Sequence, residues 1–166
     1  MENLANCELI LDIEMIEGVA AEGQYFEIAF IDSNNDAYKL IFGSVWDIRY
    51  SIENASIMRF IEFRKNQPKD LVESGIHVVE NSEYIKYLEY QLGGTLPIDE
   101  ITHYFICDRV DTIIDILACR DKPTVEPIVD GEFKFHRLNP LWNQTVDNSI
   151  PSPEGHGEGS TIVLQP

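Results

Sequence analysis

Basic residues are what this chain is short of: 12 Lys plus Arg stand against 29 Asp plus Glu in 166 residues, a formal net charge of −17. Binding to phosphate backbones normally takes clustered Lys and Arg, and here they are scattered, which disfavours nucleic acid as a partner. An anionic membrane surface is disfavoured on the same ground. Cysteine is scarce too. Cys7, Cys107 and Cys119 are an odd number at no metal-ligand spacing, so buried free thiols in a reducing compartment are expected. No apolar run approaches the ~20 residues that span a bilayer. The chain opens on Met-Glu-Asn, with no signal peptide, which makes a cytoplasmic location the expectation. Also missing are a Gly-x-Ser-x-Gly elbow, a P-loop and a Rossmann fingerprint, which removes the common hydrolase and nucleotide readings. His77, His136 and His156 show no ligand spacing, so neither zinc nor another cofactor is expected.

What is there is ordinary globular material, 44% hydrophobic and 25% charged. The length suits one domain, residues 1–146, followed by a Pro/Gly-rich tail, residues 147–166, in which residues 161–164 are a candidate docking strand. A charge of −17 repels itself unless it is dispersed over the surface or met by a basic partner.

The organising stretch is residues 101–119, ITHYFICDRVDTIIDILAC, two apolar runs about one charged break. The first run, residues 102–107, is β-favouring and too short for a comfortable helix, so it reads as a strand buried on both faces. Residues 112–119 fit a strand through Ile114, Ile116 and Ala118, or a helix through Val110, Ile113, Ile114 and Leu117. The Thr-Ile-Ile start and the short loop favour the strand, and with it a hairpin.

Upstream, residues 7–16 alternate Cys7, Leu9, Leu11, Ile13 and Met15 against Glu8, Asp12 and Glu14, which predicts a half-buried first strand. A loop is expected at 18–24, a second strand at 25–32, a turn at SNND (33–36) and a third strand at 37–42. Trp46, Ile48, Tyr50 and Ile52 alternate with Asp47, Arg49 and Glu53, a fourth strand with an aromatic-aliphatic face and a charged one. A short helix is expected at 54–64, ended by Pro68. A strand follows at 76–80, then a helix capped by Asn81 or Ser82 and stopped by Gly93-Gly94, with Ile85, Leu88 and Leu92 as its apolar stripe. Beyond Cys119, residues 132–135 suggest an edge strand and 138–142 a packed flap. The fold class expected is α+β: a mainly antiparallel sheet, meander plus hairpin, with one or two helices packed on one face.

The sharpest enzymatic pattern is LILDIEMIEG at residues 9–18, followed by EIAFID at 27–32. It looks like the first motif of the DEDD exonucleases, whose Asp-x-Glu holds two divalent metals while a later His-x4-Asp supplies the base and a further ligand. Asp12 and Glu14 match the first element and His103 with Asp108 the second, so the resemblance implies a Mg²⁺ clamp that sets a water against a phosphate. The sequence departs from that family in three respects. The middle motif offers only Glu83, His103 to Asp108 reads as strand where the family has helix, and basic surface is lacking. Alternating acids on a solvated strand explain Asp12 and Glu14 without metal, and a histidine in an apolar strand is more often a satisfied core residue.

DIRYSIEN at 47–54, VENSEYIKYL at 79–88, HYFICD at 103–108 and IIDILA at 113–118 together resemble small acidic bacterial proteins of the toxin-immunity kind. The likeness covers roughly residues 9–123 and its motifs are structural, so no catalytic residue is carried over. It implies a non-enzymatic, protein-binding protein that neutralises a basic toxin domain by presenting carboxylates in place of phosphates. The candidate contact residues are Glu8, Asp12, Glu14, Asp47 and Glu53, on the condition that the first and fourth strands share a sheet. A structural subunit with no site of its own is the remaining alternative.

Overall fold

A computed structural model of the chain describes residues 2–52, 58–59, 61–63, 65, 74–95, 97–119 and 121–129. The architecture is α+β with mostly β, built as two antiparallel sheets and a helical layer. The first sheet has the strand order β1-β6-β7-β8-β5, from β1 (Asn3–Asn6), β5 (Val45–Ile52), β6 (Gly75–Glu80), β7 (Ile101–Cys107) and β8 (Thr112–Cys119). The second has the order β2-β3-β4-β9, from β2 (Met15–Glu22), β3 (Tyr25–Ile31), β4 (Ala37–Phe42) and β9 (Thr124–Pro127). The α-helix α1 (Glu83–Gln91) packs on the first sheet, and residues 58, 59, 61–63 and 65 are also helical.

The expected hairpin is at the heart of this arrangement. Residues 112–119 are a strand, paired antiparallel to β7 from Ile101↔Cys119 to Cys107↔Ile113. Both strands are buried on both faces, which is why they read as continuous apolar runs. Tyr104, Ile106, Ile114, Ile116 and Ala118 pack against Ile28, Phe30, Leu40 and Phe42 of the second sheet. On the opposite face Phe105, Cys107 and Ile113 meet Phe63, while Leu117 and Ile101 meet Tyr84, Ile85 and Leu88 of α1. Each fully buried Ile, Leu or Phe in these layers contributes roughly 1.5–3 kcal/mol.

Several expectations are corrected. Residues 7–16 are not one strand: β1 ends at Asn6 and β2 begins at Met15, and residues 7–14 between them are an extended strap outside the strands, tied at its end by Glu14 N–H to the Ile31 carbonyl at 2.9 Å. Its period-2 burial is real, with Ile13 fully buried and Ile10 exposed, because the strap carries the chain from one sheet to the other across the core. Alternation reports which side is covered, and it does not distinguish a paired strand from an unpaired extended one. Residues 18–22, expected as loop, extend β2, and only the turn at Gly23 is tight. In α1, Tyr84 is the buried anchor whereas Leu92 is exposed. Of the thiols, Cys107 is buried, and Cys7 and Cys119 are only partly so.

The turn at 33–36 forms as its chemistry demands: Asn35 takes a positive φ, and Asp32 Oδ1 accepts from the N–H groups of Asn34 and Asp36, both at 2.9 Å. Gly75 holds the strap. Its φ of +143° excludes most side chains, and a Cβ there would lie 2.6 Å from the Leu11 carbonyl oxygen. Among the described residues no helix is long and apolar enough to cross a membrane. The rest of the helix expected at 54–64, the edge strand at 132–135, the flap at 138–142, the tail, Glu53, His136 and His156 lie outside the described residues.

Candidate functional site

Three clusters of chemistry-bearing side chains emerge from this frame. The first is buried between the first sheet and α1. His103 on β7 and Asp115 on β8 are diagonal neighbours, since His103 pairs with Leu117 and Asp115 with Phe105. The imidazole Nε2 is 2.7 Å from Asp115 Oδ1 and Nδ1 is 2.7 Å from Ser82 Oγ. With the carboxylate ionised, Nε2 carries the proton and donates it, and Nδ1 accepts from the serine hydroxyl. The same hydroxyl oxygen accepts from Ile85 N–H at 3.0 Å and so caps α1. Arg59 Nη1 closes on both Asp115 oxygens at 2.8 and 2.7 Å, and its Nε donates to Glu2 at 3.1 Å. Burial pushes the Asp115 carboxyl up, but the hydrogen bond from His103 and the charge of Arg59 outweigh it and hold the pKa below its ordinary value.

These residues have the composition of a Ser-His-Asp relay, and their surroundings give them a different task. His103 is 1% exposed and Ser82 5%. The serine oxygen is committed to a helix cap and the aspartate to an arginine fork. Such a set ties α1 and the N-terminus to the sheet. His103 is therefore a satisfied core histidine.

The second cluster is at the strap. Arg109, in the β7–β8 turn, donates to Asp12 Oδ1 at 2.9 Å and pairs with Glu14 at 3.4 Å. Hydrogen bonds from Ser33 and then from Arg109 lower the Asp12 pKa. Asp108 uses Oδ1 to accept from the N–H groups of Val110, Asp111 and Thr112, and Oδ2 to accept from Ile16 N–H at 3.0 Å. Of the four residues matched to the exonuclease pattern, Asp12 and Glu14 thus flank a guanidinium, Asp108 is saturated with main-chain donors, and His103 is bonded within the helix-side layer. Among the described residues no group of three or more His, Cys, Asp or Glu could hold a metal ion.

The condition set for the acidic face is not met either, because Glu8, Asp12 and Glu14 sit on the strap and not on a strand beside β5. Glu8 pairs with Lys122 at a cleft of about 480 Å³ lined by Cys7, Leu9, Val78, Thr102 and Tyr104. Asp47 lies on β5, at the far edge of the first sheet from β1 and β6.

That far edge is the third cluster. Strand β5 pairs only with β8 among the described residues, and β2 is the corresponding edge of the second sheet. Val45 N–H donates to the Gln24 carbonyl at 3.2 Å, which brings the β2–β3 turn against the start of β5. Between them is a cleft of about 310 Å³ lined by Tyr25, Phe26, Val45, Trp46, Asp47 and Ile48. Trp46 is 45% exposed, Tyr25 61% and Tyr50 40%, so three large aromatic rings face solvent around one edge. Trp46 is oriented by its indole N–H, 3.4 Å from Cys119 Sγ. Burial, and then the charges of Asp111 and Asp108, push the Tyr50 phenol up, which sets carboxylates beside the aromatic row.

On the helix side of the same strand the Arg49 guanidinium carbon is 3.6 Å from the Tyr84 ring centroid and 5.1 Å from that of Tyr87, itself 52% exposed. Burial, and then the Asp47 carboxylate, push the Tyr84 phenol up. The strict alternation read for β5 holds only from Asp47 on, because a bulge between Val45 and Asp47 puts Val45 with Ile48 on the core side and Trp46 beside Cys119, and Tyr25, Trp46, Arg49, Tyr50 and Tyr87 were not marked as a site. The available signal was the density of Trp, Tyr and Arg on one alternating strand, the residue types that dominate binding energy at protein interfaces. Comparison with protein-family models, with curated proteins and with solved structures finds no match for this chain.

Proposed function

We propose that this protein works by binding another protein, a basic one, along the β5 edge, and that it acts as an immunity protein does, neutralising a toxin by covering its cationic surface. One observation carries the reading: Trp46, Tyr50, Tyr25, Arg49 and Tyr87 are gathered around one exposed sheet edge in a chain of net charge −17. Rigid aromatic rings supply contact area at small entropic cost, and Arg and Tyr pair readily across interfaces. The carboxylates near Tyr50 and the overall charge accelerate encounter with a cationic partner. Asp47 is the one earlier candidate at this face. Glu8, Asp12 and Glu14 take the supporting role of long-range attraction, since each is already paired with a base.

The test is calorimetric titration with a small basic protein, beginning with any that a neighbouring reading frame encodes. Association that weakens with rising salt, and by about tenfold or more in Trp46→Ala and Tyr50→Ala, is the expected result. Association indifferent to both substitutions, or to salt, would overturn the proposal.

A further inference from the structure

The parity of β5 says how a partner reaches it. In an antiparallel pair, alternate residues turn both N–H and C=O towards the neighbouring strand, and the residues between turn both away. After the bulge between Val45 and Asp47, β5 pairs regularly with β8 from Asp47↔Leu117 to Ile52↔Thr112. Ile48 N–H donates to its own neighbour, Asp47 Oδ1, at 2.9 Å, so Ile48 is an outward-turned residue. Tyr50 and Ile52 share its parity. The outer edge of β5 therefore begins with an amide already capped by a carboxylate and continues with two that point away from β8.

We infer that a basic partner adds an extended segment to β5 as a further, antiparallel strand of the first sheet, with its main chain on Tyr50 and Ile52 and Lys or Arg side chains beside Tyr50. This rests on the protein-binding reading above and specifies its mode. Strand addition combines main-chain hydrogen bonds for affinity with alternate side-chain positions for specificity. Side chains of one parity on the added strand stand beside Ile48 and Tyr50, where the Tyr50 ring and the nearby Asp108 and Asp111 favour a cation. A second copy of this chain is the competing occupant of any open edge. Two copies at −17 repel one another. The charge thus selects a cationic strand over a copy of the chain itself.

The probe is a blocked octapeptide of alternating Lys and Val, compared with the same peptide N-methylated on alternate residues, which removes the donors of one edge. Binding is followed by amide NMR and hydrogen exchange on the intact chain. The expected result is binding in which the Tyr50 and Ile52 amides exchange at least about tenfold more slowly, and loss of about tenfold or more in affinity for whichever N-methylated parity faces β5. Equal affinity for the unmodified and both N-methylated peptides, or binding with no change at Tyr50 and Ile52, would overturn strand addition. So would failure of the unmodified peptide to bind, or a concentration-dependent dimer that protects the same amides without peptide. The broader reading stands or falls separately: Trp46→Ala must still weaken association with the folded basic partner, whatever the peptide does.

Discussion

Removing the Asp115 carboxylate is the most informative perturbation of the fold. In Asp115→Ala, His103, 1% exposed, keeps its Ser82 bond but loses the acceptor for Nε2 at 2.7 Å. A buried donor left without a partner costs about 1–3 kcal/mol. Arg59 loses both short bonds from Nη1 and keeps only Glu2. Its side chain is 27% exposed, so it recovers part of its hydration and adds about 1–2 kcal/mol rather than the full cost of an orphaned buried charge. The sum is roughly 2–5 kcal/mol, a large share of the ~5–15 kcal/mol by which domains of this kind are stable. At about 2–4 °C per kcal/mol for a chain of this length, the melting temperature drops by roughly 4–20 °C. Urea denaturation followed by far-UV circular dichroism measures it. The double variant Asp115→Leu with His103→Leu should be less destabilised than the two single variants added together, because it leaves neither partner orphaned within that pair. A loss below about 1 kcal/mol in Asp115→Ala, or strict additivity in the pair, would refute the claim that the network locks α1 and the N-terminus to the sheet.

Other consequences follow from the same geometry. The Asp115 pKa is held below its ordinary 3.8, so its contribution is fully present above the unfolded-state value and is lost as pH falls through the lowered folded value. Acid titration of stability should accordingly show a steeper fall below about pH 4 in the parent chain than in Asp115→Asn. Gly75→Ala forces a Cβ against the Leu11 carbonyl at an unfavourable φ and should cost about 2 kcal/mol or more in chemical denaturation. Millimolar Mg²⁺ or Mn²⁺ should leave the melting temperature unchanged, because Arg109 already sits between Asp12 and Glu14, and a rise of several degrees would revive the two-metal reading.

The sequence was most legible where one signal governed a segment. The β7–β8 hairpin, the SNND turn and the Ser82 cap were each fixed by local chemistry or by unbroken hydrophobicity, and each forms as read. The strap at residues 7–14 was misread because burial alternates in any extended segment laid over a core, while pairing depends on strands distant in sequence. The split into two sheets was hidden for the same reason: strand order is a property of long-range contacts. Asp115 carries the most buried charge among the described acids, and nothing local in IIDILA named its partners. Only the register that aligns it with His103 and Arg59 explains it. The aromatic residues of β5 were visible in the sequence, but nothing local said that β5 would be the outermost described strand of its sheet.

Hydroxyl-radical footprinting of the complex with the basic partner tests the central claim most directly, because it reports which side chains the partner covers. Trp46, Tyr50 and Tyr25, and Tyr87 behind them, should lose reactivity several-fold on binding, while Cys7, Leu9 and Ile10 on the strap react as before. Protection confined to the strap, with β5 as reactive as in the free protein, would contradict the account.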